Sequence, residues 1–267
     1  MATGGAVICG ETFWEGPLVA GRLAIVTGGG KGIGRAITAR LAEAGDRVVI
    51  VGRDRAALEQ AAAEIEGSVE IEECDIVSED AVAQLFGRVG DIDVLVNNAG
   101  VSSSAPLART ELADWSRQLD VNATGAFLCT RAAVPGMRER GYGRVVFVAS
   151  TAGRVGYPYT VGYTASKHAA VGLMRATAAE LAGTGVSVNA VCPTFVRTEM
   201  TRRSVERIAS ATGRSEADSE RTLADAAPLG RLLEPDEVAA AVAFLASEDA
   251  AAINGQTLIL DGGGIQA

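Results

Sequence analysis

Thr27-Gly28-Gly29-Gly30-Lys31-Gly32-Ile33-Gly34 is the stretch on which the fold of this chain turns. It follows the short apolar run Leu23 to Thr27, which reads as a strand, and opens the pattern Gly32 to Ala44, which reads as a helix. Glycines there allow a tight turn, close approach of the backbone to a pyrophosphate and close packing of helix on strand. The helix start adds free N–H groups and the positive end of its dipole. The spacing is Thr-Gly-x-x-x-Gly-x-Gly, at Thr27, Gly28, Gly32 and Gly34. It departs from G-x-G-x-x-G because Ile33 stands where the last glycine would fall. Glycines also mark plain tight connections, and it is the position in the first β-α unit that points to a dinucleotide.

Outward from this loop, β-branched runs alternate with alanine-rich helical patterns, which predicts an α/β fold with a parallel sheet covered on both faces. Strands are expected at Leu23 to Thr27, Arg47 to Val51, Val69 to Glu73, Val94 to Asn97, Val145 to Ala149, Val186 to Val191 and Thr257 to Leu260. Helices are expected at Gly32 to Ala44, Arg55 to Glu66, Glu79 to Arg88, Glu111 to Arg138, Gly162 to Ala182 and Pro235 to Leu245, with Pro135 bending or ending the fourth. No linker divides residues 21–267, which read as one domain. The charged segment 199–230 breaks the β-α rhythm and reads either as a substrate lid or as a solvated helical excursion.

At 267 residues, 48% hydrophobic and 21% charged, the chain can bury a large core. Its net charge of −9 disfavours nucleic acid and anionic membranes as partners. Cys9, Cys74, Cys129 and Cys192 lack metal-site spacing, and His168 is the only histidine, so no metal is expected. The cysteines read as free thiols in a reducing cytoplasm. Residues 1–20 lack the charge pattern of a targeting segment and read as an N-terminal extension.

Tyr163 and Lys167 stand four residues apart, one helical turn, with Ser150 thirteen residues before the tyrosine. A free phenol ionises near pKa ~10, and a positive charge ~4 Å away at an effective dielectric of ~20 would lower that by about 3, into the range useful for proton transfer. Such a pair also occurs on ordinary amphipathic helices. A Ser-His-Asp triad is disfavoured, because His168 directly follows Lys167 and lies about 100° round the helix from it.

The glycine loop, Asn97-Asn98-Ala99-Gly100 after the fourth strand, Ser150 after the fifth and Tyr163-x-x-x-Lys167 together resemble the short-chain dehydrogenase/reductase family, over about residues 21 to 264. The resemblance implies a single Rossmann-type doubly wound domain with a seven-stranded parallel sheet. It implies Tyr163 as general acid/base, Lys167 as the group that tunes the phenol and holds the nicotinamide ribose, Ser150 as donor to the substrate oxygen, and Asn122 as part of a proton relay. Cofactor contacts implied are Gly28, Lys31, Gly32, Ile33 and Gly34 in the loop, Asp75 and Ile76, then Asn98, Ala99 and Gly100. Pro193, Val196 and Thr198 follow the sixth strand, where Thr194 replaces the family's usual glycine.

Arg53 at the end of the second strand, with Lys31, suits a 2′-phosphate, so NADP(H) is favoured; Asp54 could instead serve the 2′-hydroxyl of NAD(H). The expected substrate is a small carbonyl or alcohol compound bound near Val155, Tyr157, Phe195 and Met200. Ketoreductases, 3-oxoacyl reductases and polyketide reductases are the implied activities. An NAD-dependent secondary-alcohol dehydrogenase and an idle nucleotide-binding sensor are the alternatives. Arg138 and Arg140 are candidates for an acyl-carrier docking face. The resemblance further implies a homotetramer, joined through the helix from Gly162 and through the segment Thr257 to Gly263.

Overall fold

The computed structural model describes residues 21–266. Seven parallel strands form one sheet in the order β3-β2-β1-β4-β5-β6-β7: β1 Leu23–Thr27, β2 Arg47–Gly52, β3 Val69–Glu73, β4 Val94–Asn97, β5 Gly143–Val148, β6 Val186–Pro193 and β7 Thr257–Leu260. The extension 1–20 lies outside the described residues. Order reverses between β1 and β4, and a crevice opens beyond the carboxyl ends of strands at such a reversal.

The central strands are buried along their whole length, as a sheet covered on both faces requires. Alternate residues feed two separate cores. Leu23, Ile25, Val145 and Phe147 pack beneath α3 Glu79–Val89, α5 Gly125–Arg140 and α6 Val161–Glu180. Ala24, Val26, Val146 and Val148 pack beneath α1 Gly32–Glu43, α2 Arg55–Glu64 and α9 Pro235–Ala246.

The expected helix from Glu111 to Arg138 is two helices. α4 Leu112–Leu119 is separated from α5 by a wide π-helical turn, Asp120–Thr124, that holds Asn122. Pro135 does not end α5, which runs on to Arg140 and stops at Gly141 in the left-handed conformation. The reason is its placement: Pro135 faces solvent, where water can take the Arg131 carbonyl it leaves unbonded, while Ala133 and Met137 on either side stay buried. Segment 199–230 contains α7 Glu199–Thr212 and α8 Glu216–Ala224, capped by Thr198 and Ser215. It has its own small core of Val205, Leu223 and Leu232, with Phe195 and Ile208 against it.

Candidate active site

The glycine loop sits at the strand reversal and is tied to β4 by Thr27. Its hydroxyl accepts the amides of Asn98 and Ala99, each at 3.0 Å, while the Asn98 side chain donates to the Thr27 carbonyl at 2.9 Å. Gly28 has φ +66 and donates to Val51 at 2.6 Å, a turn that an L side chain would strain. A Cβ on Gly34 would overlap the Gly28 carbonyl oxygen. The loop is therefore a cradle of bare backbone at the start of α1, whose first residues have no side-chain cap. That arrangement fits a pyrophosphate. Across the crevice, a Cβ on Gly32 would lie 3.3 Å from the Thr198 methyl, so the loop and the segment after β6 form facing walls.

Thr194 does not distort that segment. Its φ is not positive, so the conformational freedom of glycine is not needed, and its amide donates to Leu260 at 3.0 Å, continuing the β6–β7 ladder that includes Pro193. Val196 is buried and bridges to Leu233. Ile76 is a core residue packed where a Cβ on Gly125 would stand.

Beyond the end of β2, Lys31 pairs with Asp54 at 2.6 Å and Arg53 with Asp75 at 3.9 Å. The Lys31 ammonium holds the Asp54 carboxyl below its usual range, and Asp54 also caps α2 through Ala57. All four side chains are exposed enough for the partners to exchange with an incoming anion.

Tyr163 and Lys167 lie in the first turns of α6 with the ammonium 5.8 Å from the ring centroid. Lys167 Nζ donates to the Val148 carbonyl at 2.9 Å, which spends one of its three protons. Ser150 leaves β5 in extended conformation, and its hydroxyl accepts the Ala152 amide at 3.1 Å and pulls the Tyr163 pKa down. The larger influence on the phenol is opposite to the sequence expectation: loss of hydration pushes its pKa up. The same burial pushes Lys167 down to about 8.

Asn122 ties the site to its surroundings. Its oxygen accepts the Val101 amide at 2.8 Å, and its nitrogen donates to the Val101 carbonyl and to Ser166 Oγ, each at 2.9 Å. A Cβ on Gly100 would lie 3.1 Å from the Asn122 oxygen and 3.6 Å from Lys167 Nζ, so these three residues are brought together. Gln118, one turn before Asn122, escaped the sequence reading. It is buried and accepts the Ser103 amide at 3.0 Å, and the four-residue spacing is the signal that would have found it.

The expected substrate residues divide. Tyr157 donates to the Thr151 hydroxyl at 3.1 Å and, with Leu107, Tyr159 and His168, lines a groove of about 450 Å³. That groove lies on the Thr164–His168 face of α6, beside the Tyr163–Lys167 face. Val155 follows Ser150 in the chain, and its amide is bound by Thr151. Phe195 is half-buried and packs against the α7–α8 core, and Met200 is 40% exposed at the start of α7.

These features, a glycine cradle at the strand reversal facing a Ser-Tyr-Lys group, define a dinucleotide-binding oxidoreductase fold. The chain belongs to the short-chain dehydrogenase family, whose model it matches over residues 22–209. It is 41% identical over 252 residues to the granaticin polyketide synthase putative ketoacyl reductase 1 of Streptomyces violaceoruber, covering 90% of this chain and 92% of that one. It is 38% identical over 248 residues to the acetoacetyl-CoA reductase of Rhizobium meliloti (strain 1021), covering 91% and 98%. Among solved structures, an actinorhodin polyketide ketoreductase variant with NADPH superposes with a TM-score of 0.86 at 37% identity, over 91% of this chain and 97% of that one.

Proposed function

We propose that this protein is an NADP(H)-dependent ketoreductase that converts a 3-oxoacyl or polyketide-type ketone, with NADPH and a proton, into the secondary alcohol and NADP⁺. The observation that carries this reading is the convergence of Ser150, Tyr163 and Lys167 at the carboxyl edge of the sheet, beside the glycine cradle. The bound nicotinamide supplies the hydride. Ser150 and Tyr163 supply hydroxyl donors where charge develops on the substrate oxygen, and the raised phenol pKa keeps the Tyr163 proton in place at neutral pH for delivery to that oxygen. Lys167 retains two protons beyond its bond to Val148, available to the ribose hydroxyls. Asn122 positions the wall at Val101, and any relay role falls to what its committed side chain leaves over. Segment 199–230 serves as the lid, and the enzyme acts in the cytoplasm.

Tyr163→Phe is expected to lower kcat for NADPH-dependent ketone reduction by about 10²–10⁴-fold with the fold intact. Because the phenol must be protonated for reduction and ionised for oxidation, the forward rate should hold steady near neutrality while alcohol oxidation climbs with pH. An active Tyr163→Phe enzyme would remove the tyrosine from the mechanism. The Lys31–Asp54 pair favours a second reading, in which Asp54 serves a 2′-hydroxyl and NAD(H) is the cofactor. Arg53→Ala is expected to weaken NADPH binding about tenfold and spare NADH; an NADH preference unchanged by that substitution would decide for the second reading.

A further inference from the structure

Segment 199–230 leaves the sheet and returns to it along two tracks that lie side by side, Phe195 to Thr198 going out and Arg231 to Glu234 coming back. Leu233 donates its amide to the Phe195 carbonyl at 2.9 Å and accepts the Arg197 amide at 2.8 Å, so Val196 and Leu233 bridge in parallel. The outgoing track is also the wall that faces the glycine cradle, through the Thr198 methyl opposite Gly32. On that wall the Val196 carbonyl accepts the Thr201 hydroxyl at 2.6 Å and so holds the first turn of α7.

The Arg197 side chain forks between two bodies. Its Nη1 donates to Glu220 on α8 at 2.9 Å and its Nε to Glu234 at 3.0 Å. Glu234 belongs to the frame: its amide is held by Glu237 at 2.8 Å, Glu237 is gripped by both terminal nitrogens of Arg231, and α9 then runs into the core beneath α1. Glu220 belongs to the segment, one turn before Leu223 of its small core. The remaining ion pairs of the segment stay inside α7, Arg202 with Glu199 and Glu206, and Arg203 with Glu199. Among the described residues, Arg197–Glu220 is therefore the one ion pair that ties α7 and α8 to the rest of the molecule.

That placement gives a weak contact leverage. Val205 and Leu223 are the buried apolar residues that α7 and α8 give to their shared core, so little packing resists a swing of α8 away from the wall. Arg197, Glu220 and Glu234 are all half-exposed, which leaves their pairs open to screening by salt and able to part. A planar guanidinium holds two carboxylates in one geometry, which the point charge of a lysine does not fix.

We propose that Arg197 is a positioning residue that latches α8 to the wall at Val196 and Thr198, so that bound NADP(H) leaves through an opening which this ion pair controls; this rests on the lid reading above.

The test follows NADPH in the full chain, by its fluorescence on displacement with excess NADP⁺ and by amide hydrogen exchange of α7 and α8. Arg197→Met and Glu220→Gln are each expected to speed NADPH release about fivefold, and the double variant no more than Arg197→Met alone, because both remove the same contact. Raising the ionic strength should speed release from wild type more than from either variant, whereas a plain packing role for Arg197 would leave the salt dependence intact. Arg197→Lys, which keeps the charge without the fork, should fall between wild type and Arg197→Met. Arg202→Met, whose pairs lie within α7, should release NADPH as wild type does. Additive effects of the Arg197 and Glu220 substitutions, or none, overturn the latch. NADPH that leaves the exchange of α7 and α8 unaltered in wild-type protein overturns the lid reading and the latch together. Protection of those helices in wild type that Arg197→Met keeps in full, with release unchanged, overturns the latch alone.

Discussion

Lys167 shows how a single buried cation couples chemistry to stability. Its pKa, pushed down to about 8 by burial, lies below the ordinary value of 10.5 that the unfolded chain keeps. Between those values the unfolded chain binds the proton and the folded chain does not, so this residue's contribution to stability rises with pH across that window. Below pH 8 both states are charged and the full cost of burying the ammonium is present. Lys167→Met, which removes that charge, is expected to gain most over wild type at pH 7 and to lose part of the gain by pH 10. Urea denaturation of both proteins at the two pH values checks this; a difference independent of pH would mean that burial does not shift the lysine. The Tyr163–Lys167 spacing was legible in the sequence, as was the glycine pattern. The direction of the tyrosine shift was not, because the burial that removes its hydration comes from the fold around it, which no local spacing reveals.

At the scale of elements, short β-branched runs located the seven strands to within a few residues, since strands buried on both faces write their burial directly into composition. Helix α5 shows the limit of that reading. A proline predicts a break from local chemistry alone, yet here both flanking turns are anchored on the sheet and the missing N–H falls on the solvent side. Pro135→Ala is therefore expected to stabilise the protein by about 1–2 kcal/mol, restoring the bond to Arg131 and relieving the ring's contact with the preceding turn. A lower denaturation midpoint in the variant would show that the ring has packing value. The π-helical turn at Asp120–Thr124 was equally hidden. It places Asn122 between Val101 and Ser166, and both partners come from other parts of the chain.

For the whole molecule, part of the exposed apolar surface lies on the last strand and on two outer helices. Strand β7 has one unpaired edge, with Leu258 37% exposed, and Phe244 on α9 and Phe127 on α5 are 43% and 41% exposed. Unpaired edges and exposed aromatic side chains are what association covers. A homotetramer using β7 in one interface and α5–α6 in another would have four times the chain mass of 27.3 kDa by light scattering, whereas a monomeric mass in dilute buffer would oppose it.

Sequence by itself determined the parallel sheet and the glycine loop from local patterns, glycines where backbone must pass and buried runs where strands lie, and it singled out Ser150, Tyr163 and Lys167 through the family resemblance that several motifs carry together. Tertiary structure alone decided which cations are free to act. Lys31 meets Asp54, Arg53 meets Asp75, and Arg207 meets a hydroxyl and no carboxylate among the described residues. Charge is carried by a residue, but its availability depends on what the fold sets opposite it, and those partners stand 22 to 103 positions away along the chain.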